Sequence, residues 1–163
     1  MDDVADRLSI DVAGLSEKEI SPYDYEHKNR SDAFEPLMER ILLHDQIIFA
    51  SPVYWYAVSA QMKVFLDRIS DLLDLPELLE HSRQLRNKCA YVPCTSIYEE
   101  VLEPFIGAFR DTFDYLGVRF GGHLHANCRD GYVAQAYERE ISEFVECVRS
   151  YGRSYGTQEH GSA

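Results

Sequence analysis

Apolar residues in this chain occur either in short continuous runs or at helical spacing, and residues 46–69 show both patterns in succession. Residues 47–50 form a continuous apolar run, typical of a strand that is covered on both faces. Ser51 and Pro52 end it, because proline has no N–H for a strand ladder. Ser59 then suits a helix N-cap. Apolar residues follow at helical spacing at Met62, Phe65, Leu66, Ile69, Leu72 and Leu73.

The rest of the chain continues this alternation of strands and helices. Strands are predicted at residues 9–15, 46–50, 89–93 and 118–124. Helices are predicted at residues 1–8 (the end of a helix), 59 to about 74, 104–116 and about 133–151. A further helix, with Asp32 as its cap, has its apolar positions between Phe34 and Leu42, and residues 77–86 are predicted as a short helical or irregular piece. Such alternation predicts a parallel sheet with helices on both faces. We expect residues 1–151 to form one domain and residues 152–163 a disordered tail.

Between the central strand and its helix lie three consecutive aromatic residues, Tyr54, Trp55 and Tyr56, and Trp55 is the only tryptophan of the chain. The carboxyl ends of strands in an open α/β sheet are where ligands bind. The pattern therefore favours a ligand-binding wall, and packing within the loop or at a dimer interface is the alternative.

This stretch resembles the loop after the third strand of flavodoxin-like NAD(P)H-dependent FMN reductases and quinone oxidoreductases. Their pattern runs roughly T/S-P-x-Y-x-x-x-x-S/P-x-x-x-K-x-x-x-D-R. It is matched here by Ser51, Pro52, Tyr54, Ser59, Lys63, Asp67 and Arg68. The resemblance implies a flavodoxin-like three-layer α/β/α sandwich. It also implies bound FMN, NAD(P)H as co-substrate, and a quinone, flavin or similar small molecule as electron acceptor.

The resemblance assigns flavin contacts to two loops. The first comprises Ser51, Pro52, Val53, Tyr54, Trp55 and Tyr56, and the second comprises Cys94, Thr95, Ser96 and Tyr98. For the second loop, an ordinary polar turn is the open alternative. No side chain receives a catalytic role, because the flavin carries the chemistry. Lys63, Asp67 and Arg68 are expected to be structural, through helix pairing and ties to neighbouring loops.

The pattern supplies four of the five strands of that fold. The missing strand is the first, with the loop that holds the FMN phosphate, so the chain is expected to be incomplete at its N-terminus. Three explanations are open: a recorded start downstream of the true one, a genuine truncation, or strands that close up or pair with another chain. Besides the reductase, a flavodoxin-type electron carrier and a truncated, non-catalytic remnant unable to bind FMN are alternative functions.

The net charge limits the classes of partner, and the cysteines bear on the redox compartment. The net charge of −12 argues against nucleic acid or an anionic membrane, which require clustered cations. Without a signal peptide or an apolar run of membrane-spanning length, we expect a cytoplasmic protein. The four cysteines are expected to be free thiols. A homodimer is expected from the resemblance alone.

Metal centres are not favoured by the sequence. His123 and His125 are spaced to share one strand face but lack a third ligand of clear spacing, so a packed or hydrogen-bonded pair is favoured over zinc. Residues 21–25, where related iron–sulfur flavoproteins carry a compact cysteine motif, contain no cysteine, which argues against a cluster.

Overall fold

The structure, a computed structural model, describes the backbone of residues 10–155 and the side chains of residues 10–151. The helices are α1 (Phe34–Leu42), α2 (Ala60–Arg68), α3 (Asp71–Asp74), α4 (Leu79–Leu85), α5 (Glu103–Leu116) and α6 (Glu138–Tyr155). The strands are β1 (Gln46–Ile48), β2 (Ser51–Pro52), β3 (Cys89–Ser96) and β4 (Arg119–Asn127). Turns of 3₁₀ helix lie at Leu15–Glu17, Pro76–Leu78 and Ala134–Tyr137.

All strands pair in parallel around β3. On one side, β1 and β2 pair with β3, with Gln46 opposite Cys89 and Ser51 opposite Cys94. On the other side, β4 pairs along the whole of β3. The parallel sheet with flanking helices confirms the predicted α/β fold.

The break between β1 and β2 has a local cause in β3. The amide of Phe49 donates to the carbonyl of Tyr91 at 2.8 Å, and the amide of Val53 donates to that of Thr95 at 2.9 Å. Pro93 lies between these two acceptors and has no N–H to continue the ladder. The predicted strand 46–50 therefore ends at Ile48, and a second short strand forms at Ser51–Pro52, the residues that were expected to end it. Pro93 itself does not end β3, which continues to Ser96.

The two faces of the sheet are covered unequally. On one face, α1, α2 and α5 enclose a single core that includes Phe34, Phe65, Phe109 and Phe113. On the other face, α6 packs Val148 against Cys89 and Tyr91. Ile48 is 46% exposed, so the prediction that residues 47–50 are covered on both faces is wrong for the part of the chain that the structure describes.

The predicted strand at residues 9–15 is also wrong. Residues 10–14 have no regular structure, and a 3₁₀ turn begins at Leu15. Ile10 is 71% exposed and Val12 is 80% exposed, so of the three apolar residues that suggested a strand only Leu15 packs against the core. A strand needs a hydrogen-bonded neighbour, and none of the strands at residues 46–127 pairs with this segment. Ser9 and the helix predicted at residues 1–8 lie outside the described residues.

Most other elements were predicted correctly in type, with shifted ends. The helix predicted at 59–74 is divided into α2 and α3, and the strand predicted at 118–124 continues to Asn127. The helix predicted at 133–151 begins at Glu138 and ends at Tyr155, so residues 152–155, assigned to the tail, are helical. The Ser59 hydroxyl caps α2 by accepting the Met62 amide at 3.3 Å, as predicted, and Gly117 ends α5 with φ of 70°.

A buried ionic network fastens α2 to the segment that precedes α1. The Arg68 side chain is 1% exposed. It donates to Asp71 at 2.7 Å and to the carbonyl of Ser21 at 3.1 Å, and it pairs with Asp32. His27 Nδ1 lies 2.9 Å from Asp71. Arg68 is therefore structural, as the sequence predicted.

Asp32 makes this network dependent on pH. Burial alone would raise the pKa of its carboxyl, but hydrogen bonds from the Phe34 and Ser21 amides and from Arg68 bring it below the ordinary 3.8. A lowered pKa contributes stability that is present above the unfolded value and is lost as the pH falls through the folded one.

We predict that Arg68→Met lowers the free energy of unfolding by about 3–5 kcal/mol, because two buried carboxylates lose their common partner. Urea denaturation measures the effect. Lys63→Met is the matched control, because Lys63 forms an exposed pair with Asp67 on the same helix, and such pairs contribute about 0–1 kcal/mol. Equal losses in the two variants would contradict the interpretation.

Candidate functional site

The carboxyl ends of β2, β3 and β4 meet at one edge of the sheet, because these strands are parallel and adjacent. Three connections leave this edge. We call them the aromatic turn (residues 54–57), the Tyr98 loop (residues 96–98) and the Arg129 loop (residues 128–131). Both loops that the sequence assigned to flavin binding are among them.

The aromatic turn is a tight two-residue hairpin. The amide of Tyr54 donates to the carbonyl of Ala57 at 2.9 Å, and the amide of Ala57 donates to that of Tyr54 at 3.0 Å. Trp55 has φ of 48° and Tyr56 has φ of 66°. This geometry corresponds to a type I′ turn, which favours Asn-Gly. Two bulky residues in the left-handed region store strain, and such strain clusters at functional sites.

The turn presents its rings and its backbone donors to solvent. Trp55 is 92% exposed, and more than half of the surface of Tyr54 and Tyr56 is exposed. Within residues 10–155, the amides of Trp55 and Tyr56 have no hydrogen-bond partner. The turn therefore offers aromatic faces and N–H donors side by side, as a flat heteroaromatic ligand with polar edges requires.

The aromatic turn and the Tyr98 loop touch through stacked rings. The ring centroids of Tyr56 and Tyr98 are 5.7 Å apart, with 27° between the ring planes. Hydrogen bonding with the Tyr56 side chain is the main reason why the pKa of Tyr98 lies above its ordinary 10.0. Two loops that are distant in sequence thus form one aromatic surface.

Other predicted contact residues support this surface from below. The Ser51 hydroxyl is buried, accepts the amide of Ser59 at 3.0 Å and donates to the carbonyl of Pro52 at 2.9 Å, which closes the base of the connection. Pro52 and Val53 are half-buried. These three residues hold the aromatic turn in place rather than present a surface.

The second set of predicted flavin contacts lies partly at the edge of the sheet and partly in the hydrophobic core. Thr95 is exposed at the edge. Cys94 lies in the hydrophobic core, where burial raises the pKa of its thiol to about 11. The Cys94 side chain therefore faces the core rather than the loops, and a flavin contact from this side chain does not fit the structure. Ser96 is only 8% exposed and makes the contacts described next.

Sequence reasoning did not place two residues at this edge, His125 and Arg129. His125 was expected only to be packed or hydrogen-bonded, and its Nε2 lies 2.7 Å from the hydroxyl of Ser96, a partner 29 positions away. Arg129 Nε donates to the carbonyl of Ile97 at 3.2 Å, and the amide of Cys128 donates to that of Ser96 at 2.6 Å. The Arg129 loop therefore supports the Tyr98 loop.

Arg129 has no carboxylate partner among the described residues. Its side chain is exposed, while its Nε is tied to the Tyr98 loop. The two terminal nitrogens of a guanidinium held in this way can contact an anion in a bidentate manner. The one available sequence signal was Arg129 itself, a cation in a turn after a strand.

The described residues fit the ring of a flavin and not its phosphate. The aromatic turn and the Tyr98 loop supply ring faces and N–H donors. Among residues 10–155, no run of Ser, Thr, Asn and Gly leads from a strand end into a helix N-terminus, the usual phosphate cradle. No group of three or more His, Cys, Asp or Glu in that part of the chain could hold a metal ion. No helix in it is long and apolar enough to cross a membrane.

Comparisons with known proteins agree with the aromatic motif. Residues 2–123 match the protein family described as NADPH-dependent FMN reductase. Over 95 residues the chain is 33% identical to YwqN of Bacillus subtilis, which is named as an NAD(P)H-dependent FMN-containing oxidoreductase. The match covers 57% of this chain and 52% of that protein, so the chain spans about half the length of this relative.

A solved structure extends the comparison to the fold. The Trp repressor binding protein of Bacillus subtilis is 31% identical and superposes with a TM-score of 0.54. The superposition covers 58% of this chain and 62% of that one.

We predict that replacing the strained pair by Asn-Gly (Trp55→Asn with Tyr56→Gly) raises the free energy of unfolding by about 1–3 kcal/mol, because these residues suit a type I′ turn. The same variant should bind flavin more weakly, because it lacks both rings. Thermal unfolding and flavin titration measure the two effects. Trp55→Phe, which keeps a ring and the left-handed backbone, is the control and should leave stability unchanged. A less stable double variant would contradict the idea of stored strain.

Proposed function

The chain belongs to the family of NADPH-dependent FMN reductases, and on that premise we propose that it works as an FMN-dependent NAD(P)H oxidoreductase. Electrons would pass through the bound flavin to a quinone, a free flavin or a similar small acceptor. The observation that carries the proposal is the stack of Tyr56 on Tyr98, which joins the two loops of the flavin motif at the carboxyl edge of the sheet.

The protein's own work in this reaction is binding, orientation and exclusion of water. Bound FMN supplies hydride and electron transfer, so no side chain needs to act as a nucleophile. Tyr54 and Trp55 offer rings to cover a flavin face, and the free amides of Trp55 and Tyr56 can donate to its polar edge. The hydroxyl of Thr95 is exposed beside them. The proposal assigns no residue among 10–155 to the FMN phosphate.

We assign Arg129 to the anionic part of the nicotinamide dinucleotide. The chain carries a net charge of −12, which opposes the approach of an anionic substrate unless a local cation compensates. Arg129 is such a cation, and its bond to the Ile97 carbonyl holds it beside the Tyr98 loop. Its free terminal nitrogens suit a phosphate group.

A cytoplasmic location and a homodimer stay predictions. The acidic composition and the four cysteines, free in the structure, support the first. The exposed rings of the aromatic turn support the second, because exposed aromatic residues are enriched where proteins meet.

The direct test is titration of the purified 163-residue chain with FMN, followed by NAD(P)H oxidation with a quinone acceptor. We expect binding and turnover. Tyr98→Ala should weaken FMN binding about threefold to tenfold, the value of one aromatic stack. Tyr115→Ala is the control, because Tyr115 is an exposed tyrosine on α5 without a ring partner among the described residues. Binding without NAD(P)H turnover would favour an electron carrier, and absence of binding would overturn the proposal.

For Arg129, we predict that Arg129→Gln raises the KM for NADPH about tenfold, the low end for a charge-assisted hydrogen bond at an exposed site. FMN affinity should fall less than the KM rises, because the Cys128 amide still ties this loop to the Ser96 carbonyl when the bond from Arg129 to Ile97 is lost. Arg139→Gln changes the net charge equally on exposed α6 and serves as the control. If both variants raise the KM alike, the effect comes from the overall charge and the assignment is wrong. Steady-state kinetics at fixed ionic strength makes the comparison.

A further inference from the structure

A chain of contacts leads from the edge strand into the aromatic surface. His125 on β4 lies 2.7 Å from the Ser96 hydroxyl, which also accepts the amide of Tyr98 at 3.1 Å. The Tyr98 ring then stacks on Tyr56. We propose that His125 is a positioning residue that holds the Ser96 hydroxyl, fixes the backbone of the Tyr98 loop and thereby sets the ring pair of Tyr56 and Tyr98. The effect of this ring pair on flavin binding rests on the proposed function.

The meeting of His125 and Ser96 depends on an irregularity in β4. The register is shifted between Ala90 and Tyr91, because Gly121 is an extra residue in β4. Beyond it, His125 lies opposite Cys94, on the face that also carries Ser96. If the register of Ala90 opposite Phe120 continued without a bulge, His125 would lie opposite Thr95 and its side chain would be on the opposite face. A side chain at Gly121 would lie 2.7 Å from the sulfur of Cys89, so only glycine fits there.

The Ser96 hydroxyl needs an acceptor for its own proton. Ser96 is 8% exposed, and a buried hydroxyl without a partner is costly. Its oxygen accepts a hydrogen bond from the amide of Tyr98, two residues further along the chain, which forms an ST-turn. Among the described residues, His125 Nε2 is the available acceptor for the hydroxyl proton. This arrangement requires a neutral imidazole with its own proton on Nδ1.

The surroundings of His125 favour that neutral form. Burial, and to a smaller extent electrostatic repulsion from His123, lower the pKa of His125 below the ordinary 6.5. Burial lowers the pKa of His123 too, with Arg110 on α5 adding to the effect and Glu103 on α5 opposing it. Cys94, opposite His125 on β3, is a neutral thiol.

The sign of the pH dependence follows. The neutral ring accepts the Ser96 proton above the ordinary pKa of histidine. As the pH falls through the lowered pKa, Nε2 becomes a donor and the arrangement is lost. The Tyr98 loop should therefore loosen on acidification.

The chain contains its own reporter of this loop. Trp55 is the only tryptophan and neighbours Tyr56 in the aromatic turn. Its fluorescence anisotropy can therefore be followed from pH 8 to pH 5 in the flavin-free protein. We expect the wild type to show a decrease in anisotropy with the shape of a one-proton titration below the ordinary histidine pKa. This readout needs no FMN, so it remains decisive even if the proposed function fails.

Three variants separate the contributions of His125 and Ser96 to the order of the Tyr98 loop. His125→Leu should give low anisotropy at every pH and bind FMN about tenfold more weakly, because one buried hydrogen bond is lost. His125→Gln keeps an acceptor that does not titrate, so it should restore the anisotropy and abolish its pH dependence. Ser96→Ala should reproduce His125→Leu, and the two together should be no worse than Ser96→Ala alone.

His123→Leu is the matched control, a histidine on the same strand face whose side chain makes no bond to Ser96. It should retain the pH response of Trp55. A wild-type response in both His125→Leu and Ser96→Ala would overturn the proposal, as would loss of the response in His123→Leu alone. Urea unfolding shows whether each variant is folded. If His125→Leu does not fold, the response of Ser96→Ala alone tests the proposal.

Discussion

The parallel ladder on both sides of β3 is the constraint on which the rest of the structure depends. Because β2 and β4 pair with it in the same direction, the carboxyl ends of these three strands meet at one edge. The aromatic turn, the Tyr98 loop and the Arg129 loop are brought together for that reason alone. Pro93 interrupts the ladder, but the hydrogen bonding resumes at Thr95. β2 therefore lies directly before the aromatic turn.

The site at this edge is held ready by backbone geometry rather than by burial. Trp55 and Tyr56 occupy left-handed backbone positions that cost about 1–3 kcal/mol each. Covering half of such a ring with a ligand recovers about 2–3 kcal/mol. The two quantities are similar, so a flat ligand can offset the strain that the free protein carries. An exposed tryptophan in a strained turn is understandable in a protein that binds such a ligand.

Local patterns were sufficient for the elements and for half of the site. The cap at Ser59, the left-handed end at Gly117 and the helical spacing of apolar residues each depend on a few neighbouring positions, so each was predictable. The same holds for the aromatic turn, whose three rings follow a strand and precede a helix in a recognisable family pattern. The structural role of Arg68 also followed from that pattern, but its burial did not.

Only the tertiary structure decided the long-range relations. Residues 10–14 alternate like a strand but have no neighbour to pair with, and Ile48 is apolar yet lies on an uncovered face. The bond between His125 and Ser96 depends on one extra residue at Gly121, which reverses the alternation of β4. The sequence by itself determined the helices, most of the strands and the aromatic turn, because those preferences are local. The folded sheet decided which of them pair and which side chains meet, because pairing and register are set by distant partners.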